Sequence, residues 1–230
     1  MPLVRAQVPP DRVNWAALRP EILQHYRSLV QIDSTAGHET LVVDYLKKVL
    51  EAEGIPTQTF ALDPKRANLV ARLKGNGSKR PLLILAHTDV VGVQREKWPV
   101  DPFGAVMKDG YVWGRGSKDD KPVLTANLMT MLLLKRSGVA LDRDVIFLAE
   151  SGEEADLAGV GMNYLMREHF ADIDTLQLDD VVPMTQPYPL ENVLRDDVIA
   201  PGLDRDEVLA AAPDVEDGRF RVPPIIGLDS

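Results

Sequence analysis

The chain has 230 residues, 45% of them hydrophobic, which is enough for one substantial core or for one domain with an appendage. A net charge of −9 argues against nucleic acid or an anionic membrane as a partner, since either would need a basic stripe that the sequence lacks. With no cysteine, disulfides and thiolate metal sites are excluded, so any metal must be held by oxygen and imidazole.

In chain order, a proline-bearing lead-in over residues 1–20 gives way to two stretches with helical apolar spacing, 21–29 and 40–53. Leu41, Tyr45, Leu46, Val49 and Leu50 mark the second, and Gly54-Ile55-Pro56 stops it. Residues 57–62, 68–73 and 82–86 read as strands separated by turn material. The third is almost wholly apolar, the pattern of a strand covered on both faces. Residues 103–107 and 111–113 flank an Asp109-Gly110 hairpin turn and lead into the loop Gly114-Arg115-Gly116-Ser117-Lys118-Asp119-Asp120. Pro122 in the first turn, then Leu124, Leu128, Met131 and Leu132, predict a helix over 121–137 closed by Gly138. A buried-type strand at 144–149 and a helix at 161–170 complete an alternating pattern, which implies an α/β layer architecture with a largely parallel central sheet.

From residue 181 onward the composition changes to ten acidic residues against four basic ones, with frequent proline. A short helix at 204–211 fits a capping box of Asp204 and Glu207, and the rest has the composition of a loop or partly disordered segment. No apolar run approaches the roughly 18 residues of a membrane helix, and Met1 to Gln7 lacks the apolar segment of a secretory signal. The chain as written is therefore expected in the cytoplasm, with a periplasmic or secreted location open if the native start is longer.

The chemistry concentrates in three places. His87 and Asp89 follow strand 82–86, and their i, i+2 spacing lets an imidazole face a cation while Asp89 steadies its ring. Glu153 and Glu154 follow strand 144–149, so both pairs should open on the carboxyl edge of the sheet, where ligands collect in α/β folds. Asp119 lies in a glycine-rich loop before a helix N-terminus. Imidazole and carboxylates without thiols suit zinc, manganese or cobalt. A His-x-Asp pair alone is more often polar packing, and Gly114-Arg115-Gly116 alone lacks the rest of a nucleotide-binding pattern. Glu150 reads either as a strand-end surface residue or as a partner behind the site, and Asp101 and Arg115 either as site wall or as turn residues. His25, His38 and His169 are expected to be structural or solvent-facing.

Four ordered segments carry a resemblance: Ala86-His87-Thr88-Asp89-Val90-Val91, Trp98-Pro99-Val100-Asp101-Pro102-Phe103, Gly114 to Lys121, and Ala149-Glu150-Ser151-Gly152-Glu153-Glu154. In order and spacing they resemble the dinuclear-zinc peptidases and deacylases of peptidase family M20, the carboxypeptidase, aminoacylase and succinyl-diaminopimelate desuccinylase kind. The resemblance covers roughly residues 21–174. It implies that His87 binds one zinc, Asp119 bridges two, Glu154 binds the second, Asp89 orients His87, and Glu153 is the general base that activates the bridging water. Cobalt or manganese could replace zinc, and the substrate implied is a small peptide or N-acyl amino acid.

The family's fold is a three-layer zinc-exopeptidase-like catalytic domain interrupted by a lid that often dimerises. It has a further acidic ligand about two dozen residues past the Glu-Glu pair, where Asp179 or Asp180 stands, with Asp180 the candidate ligand. It also has a histidine near its C-terminus, and no histidine follows His169. The expected organisation is thus a lead-in at 1–20, a C-terminally truncated catalytic domain at 21–180 without the lid, and an atypical tail at 181–230. The alternative function is an inactive remnant or a metal-binding module lacking one zinc ligand. The oligomeric state is left open.

Overall fold

The computed structural model describes residues 13–154, 159–169 and 202–221. They belong to two compact units, Met1–Val181 and Val182–Ser230. In the first, α1 (Trp15–Gln31) and α2 (Thr40–Ala52) precede β1 (Thr57–Phe60), β2 (Asn68–Leu73) and β3 (Leu82–His87). A hairpin of β4 (Val106–Lys108) and β5 (Tyr111–Trp113) leads to α3 (Lys121–Ser137), β6 (Val145–Glu150) and α4 (Met162–Glu168). The second unit holds α5 (Arg205–Ala210), capped by Asp204, and a hairpin of β7 (Val215–Glu216) and β8 (Arg219–Phe220).

Local sequence explains most of these bounds. α1 starts at Trp15 because Asn14 accepts from the Ala17 amide at 3.1 Å. Pro20 therefore falls inside the helix, where it cannot donate to the Ala16 carbonyl. The hairpin turn places Asp109 and Gly110 both at positive φ, 54° and 80°, as an Asp-Gly turn requires. α3 ends where Gly138 adopts a left-handed conformation, φ 59°.

The main sheet runs β1-β2-β6-β3. β1 pairs antiparallel with β2, β2 antiparallel with β6, and only β3 and β6 are parallel. The sheet is thus mixed and not largely parallel, which corrects the sequence-based expectation. Parallel neighbours need a crossover of about a dozen residues or more, usually through a helix. No helix separates β1, β2 and β3 in the chain, and α3 supplies the one crossover, from β3 to β6. A second correction concerns β3, which among the described strands lies at the sheet edge, with Leu82 47% and Leu85 41% exposed.

The layers follow from strand alternation. Val145, Phe147 and Ala149 of β6 join Leu69 and Ala71 in a core with Leu46 and Leu50 of α2 and Leu124, Leu128 and Leu132 of α3. Ile146 and Leu148 face the other way, onto Leu165 of α4. Helices therefore cover both faces of the sheet, and β6 is buried along its whole length. Arg66 and Glu39 form a buried ion pair at 2.7 Å. Among the described residues no helix is long and apolar enough to cross a membrane.

Candidate metal centre

β3 and β6 end side by side, with His87 in register with Glu150, so the segments that leave them emerge on one rim. The ladder continues one residue further, as Thr88 donates to the Glu150 carbonyl from its amide at 2.7 Å and its hydroxyl at 2.9 Å. The loop before α3 reaches the same rim. Its Gly116 has φ 79°, and a Cβ there would lie 2.8 Å from Val90 Cγ1 and 3.0 Å from Lys121 Cγ, so only glycine fits. The peptide between Asp119 and Asp120 is cis.

At this rim one ligand atom each from His87, Asp119 and Glu154 lie within 4.8 Å of one another. The His87 Nε2 is 2.8 Å from Asp119 Oδ1 and 3.9 Å from Glu153 Oε2. His87 is buried while Asp119, Glu153 and Glu154 are exposed, so the cluster opens to solvent. An imidazole and carboxylates converging at an open rim fit a divalent cation with room left for water. Asp180, the remaining candidate ligand, lies outside the described residues.

Asp89 does more than its spacing suggests. Its backbone carbonyl is 3.1 Å from His87 Nδ1, and its Oδ1 is 3.5 Å away. The carboxylate itself accepts the amides of Gly152 at 2.9 Å, Glu153 at 3.1 Å and Glu154 at 2.9 Å. One buried side chain thus spans both strand ends and shapes the turn that presents the glutamate pair.

The charges of the cluster act on one another. Burial opposes charging of His87, but its hydrogen bonds to Asp89 and Asp119 outweigh it and raise its pKa to about 9. Burial pushes Asp89 up, yet His87 and the Glu154 and Glu153 amides hold it below the usual carboxylate range. Asp120 and Glu150 are raised, chiefly by burial. Lys121 is lowered to about 7 by burial, against the pull of Asp89, Asp33 and Glu39.

Other expectations sort by contact. Asp101 accepts from Arg95 at 3.0 Å and from the Phe103 amide at 3.1 Å, a turn role, and Arg115 lies over the Trp98 ring at 5.4 Å. His25 is tied to the Tyr45 hydroxyl at 2.8 Å and His169 to that of Tyr164 at 2.7 Å. Lys121 escaped the sequence reading, although it stands in phase with Leu124, Thr125 and Leu128 on the buried face of α3, which was the available signal.

A mixed α/β sheet carrying an imidazole and carboxylates at one rim is the architecture of metal-dependent peptidases. Human carnosine dipeptidase 1 shares the fold at TM-score 0.53 and 20% identity, over 62% of this chain and 34% of that one. The metallo-carboxypeptidase Sso-CP2 from Sulfolobus solfataricus does so at TM-score 0.52 and 24% identity, over 58% and 31%. The sequence profile of peptidase family M20/M25/M40 matches residues 83–214, and the chain belongs to that family. A curated relative described as "Probable succinyl-diaminopimelate desuccinylase", from Staphylococcus epidermidis, is 33% identical over 167 residues. That match covers 72% of this chain but only 38% of the relative's length.

Proposed function

We propose that the chain carries the first part of an amide-bond hydrolase site that takes zinc, with small peptides or N-acyl amino acids as substrates. The observation that carries the reading is the convergence of His87, Asp119 and Glu154 within 4.8 Å at the end of the parallel strand pair. Membership of a peptidase family, and 33% identity to a relative described as "Probable succinyl-diaminopimelate desuccinylase", support it. In this reading His87 and Glu154 would each hold one of two ions, with Asp119 shared between them. Bound zinc would lower the pKa of water towards neutrality and polarise the scissile carbonyl.

The chain's own residues do the rest. Glu153, exposed and 3.9 Å from the imidazole, takes the water proton at a carboxylate oxygen and passes it to the departing amine. Asp89 keeps His87 and the glutamate pair in fixed relation, so that base and ligands keep their spacing.

The test is to strip the chain of metal and reload it with zinc, cobalt or manganese. Bound metal is then counted, and N-acyl amino acids and dipeptides are assayed. Metal-dependent turnover that vanishes in Glu153→Gln supports the reading. Metal uptake with no turnover on any substrate favours the metal-binding module, and no uptake overturns both.

A further inference from the structure

Lys121 opens α3 with its side chain fully buried, 0% exposed, among the largest such side chains of the described residues. None of the described carboxylates pairs with it at ion-pair distance. Its Nζ instead donates to the Ser34 hydroxyl at 2.6 Å and to the Thr88 carbonyl at 2.8 Å. Ser34 Oγ donates to the same carbonyl at 2.7 Å. Thr88, also 0% exposed, is the residue between His87 and Asp89, and its amide and hydroxyl are already held by Glu150. Both ends of this one residue's polar backbone are therefore fixed from opposite sides.

Packing does not explain an ammonium at this place. A buried cation is costly to desolvate, and an apolar side chain of the same length would fill the space. What the ammonium adds is two directed hydrogen bonds, one of them to a carbonyl whose peptide plane leads directly into Asp89. The Ser34 end extends the clamp to the segment after α1, where the Ser34 carbonyl accepts from the Val90 amide at 3.1 Å.

We propose that Lys121 is a positioning residue of the metal centre. By gripping the Thr88 carbonyl it sets the imidazole of His87 toward Asp119 and Glu154 and keeps the Asp89 carboxylate under the amides of residues 152–154. This rests on the metal-centre reading given above, and the test separates the two.

Lys121→Met keeps the length of the side chain and removes its donors. Cobalt binding to the full metal-free chain is expected to weaken by about tenfold or more, the range for groups behind metal ligands, with a changed cobalt absorption band. Hydrogen exchange of the Gly152 to Glu154 amides is expected to quicken, with or without metal. Leu128→Ala, on the same buried face of α3, serves as the control: it should lose stability yet keep wild-type cobalt affinity, absorption and local exchange. Ser34→Ala cuts one arm of the clamp and should shift the same readouts in the same direction by a smaller amount, which keeps the test decisive if Lys121→Met fails to fold.

Wild-type cobalt affinity and exchange in Lys121→Met, or in Ser34→Ala if only that variant folds, overturns the proposal. So does an equal loss in Leu128→Ala. Absence of cobalt binding by the wild-type chain overturns the metal-centre reading itself, and local exchange at residues 152–154 then decides alone whether Lys121 holds the turn.

Discussion

The His87 Nε2 and Asp119 Oδ1 atoms lie 2.8 Å apart, so the two groups that would share a cation share a proton in its absence. Burial disfavours the imidazolium, but its carboxylate partners prevail and raise its pKa to about 9. A protonated imidazole cannot ligate, so below that value the proton must leave as metal enters. Apparent zinc or cobalt affinity should then rise about tenfold per pH unit from neutrality up to about 9 and flatten above it. Chelator competition across this range checks the slope, and an affinity indifferent to pH would contradict it.

Asp89 accepts from three amides while 1% exposed, so its removal takes the acceptor from all three, the buried Gly152 amide among them. Asp89→Ala should cost about 1–3 kcal/mol or more in urea unfolding. It should also weaken metal binding by about 10- to 100-fold, because both the histidine and the glutamate turn lose their common support.

Glu153 donates its backbone amide to Asp89, while its exposed side chain reaches toward His87 at 3.9 Å. Glu153→Gln keeps that bond and the shape of the side chain while losing the basic oxygen. Turnover should fall by about 10²- to 10⁴-fold with metal stoichiometry unchanged. A variant that loses metal and activity together would move Glu153 from base to ligand.

Gly116 sits at φ 79° with Val90 and Lys121 crowding the place of a Cβ. Gly116→Ala should destabilise the chain by about 1–3 kcal/mol, measured by thermal or urea unfolding. The strain falls on the loop that carries Asp119, so weaker cobalt binding should accompany it.

Much of this site was legible because its parts are local. Strand ends, a glycine-rich loop and a helix start fixed by Pro122 each announce themselves within a few residues, and β2 and α3 have the bounds their periodicity predicts. Pairing was not legible, because the partner of a strand is a tertiary choice. Nothing in residues 68–73 says that β6, some seventy residues on, will lie against them in antiparallel register. The apolar run of β3 likewise concealed an edge position, since sequence shows what a strand is made of and not what covers it. Lys121 was hidden by its type, since lysine at a helix start ordinarily reads as solvated. Its phase with Leu124 and Leu128 was the stronger indicator, and charge masked it.

Among the described residues, the strand that delivers His87 has a strand partner on one flank only. β3 takes its ladder bonds from β6, and on the other flank the Asn127 side chain reaches the Leu85 carbonyl at 3.1 Å. Such a strand opens more readily along residues 82–85 than at His87, where Thr88 and Val90 are held by Glu150, Lys121 and Ser34. Cation uptake would add one more knot to a rope already tied at that end, slowing deuterium uptake along residues 82–87 more than in the sheltered neighbour β6.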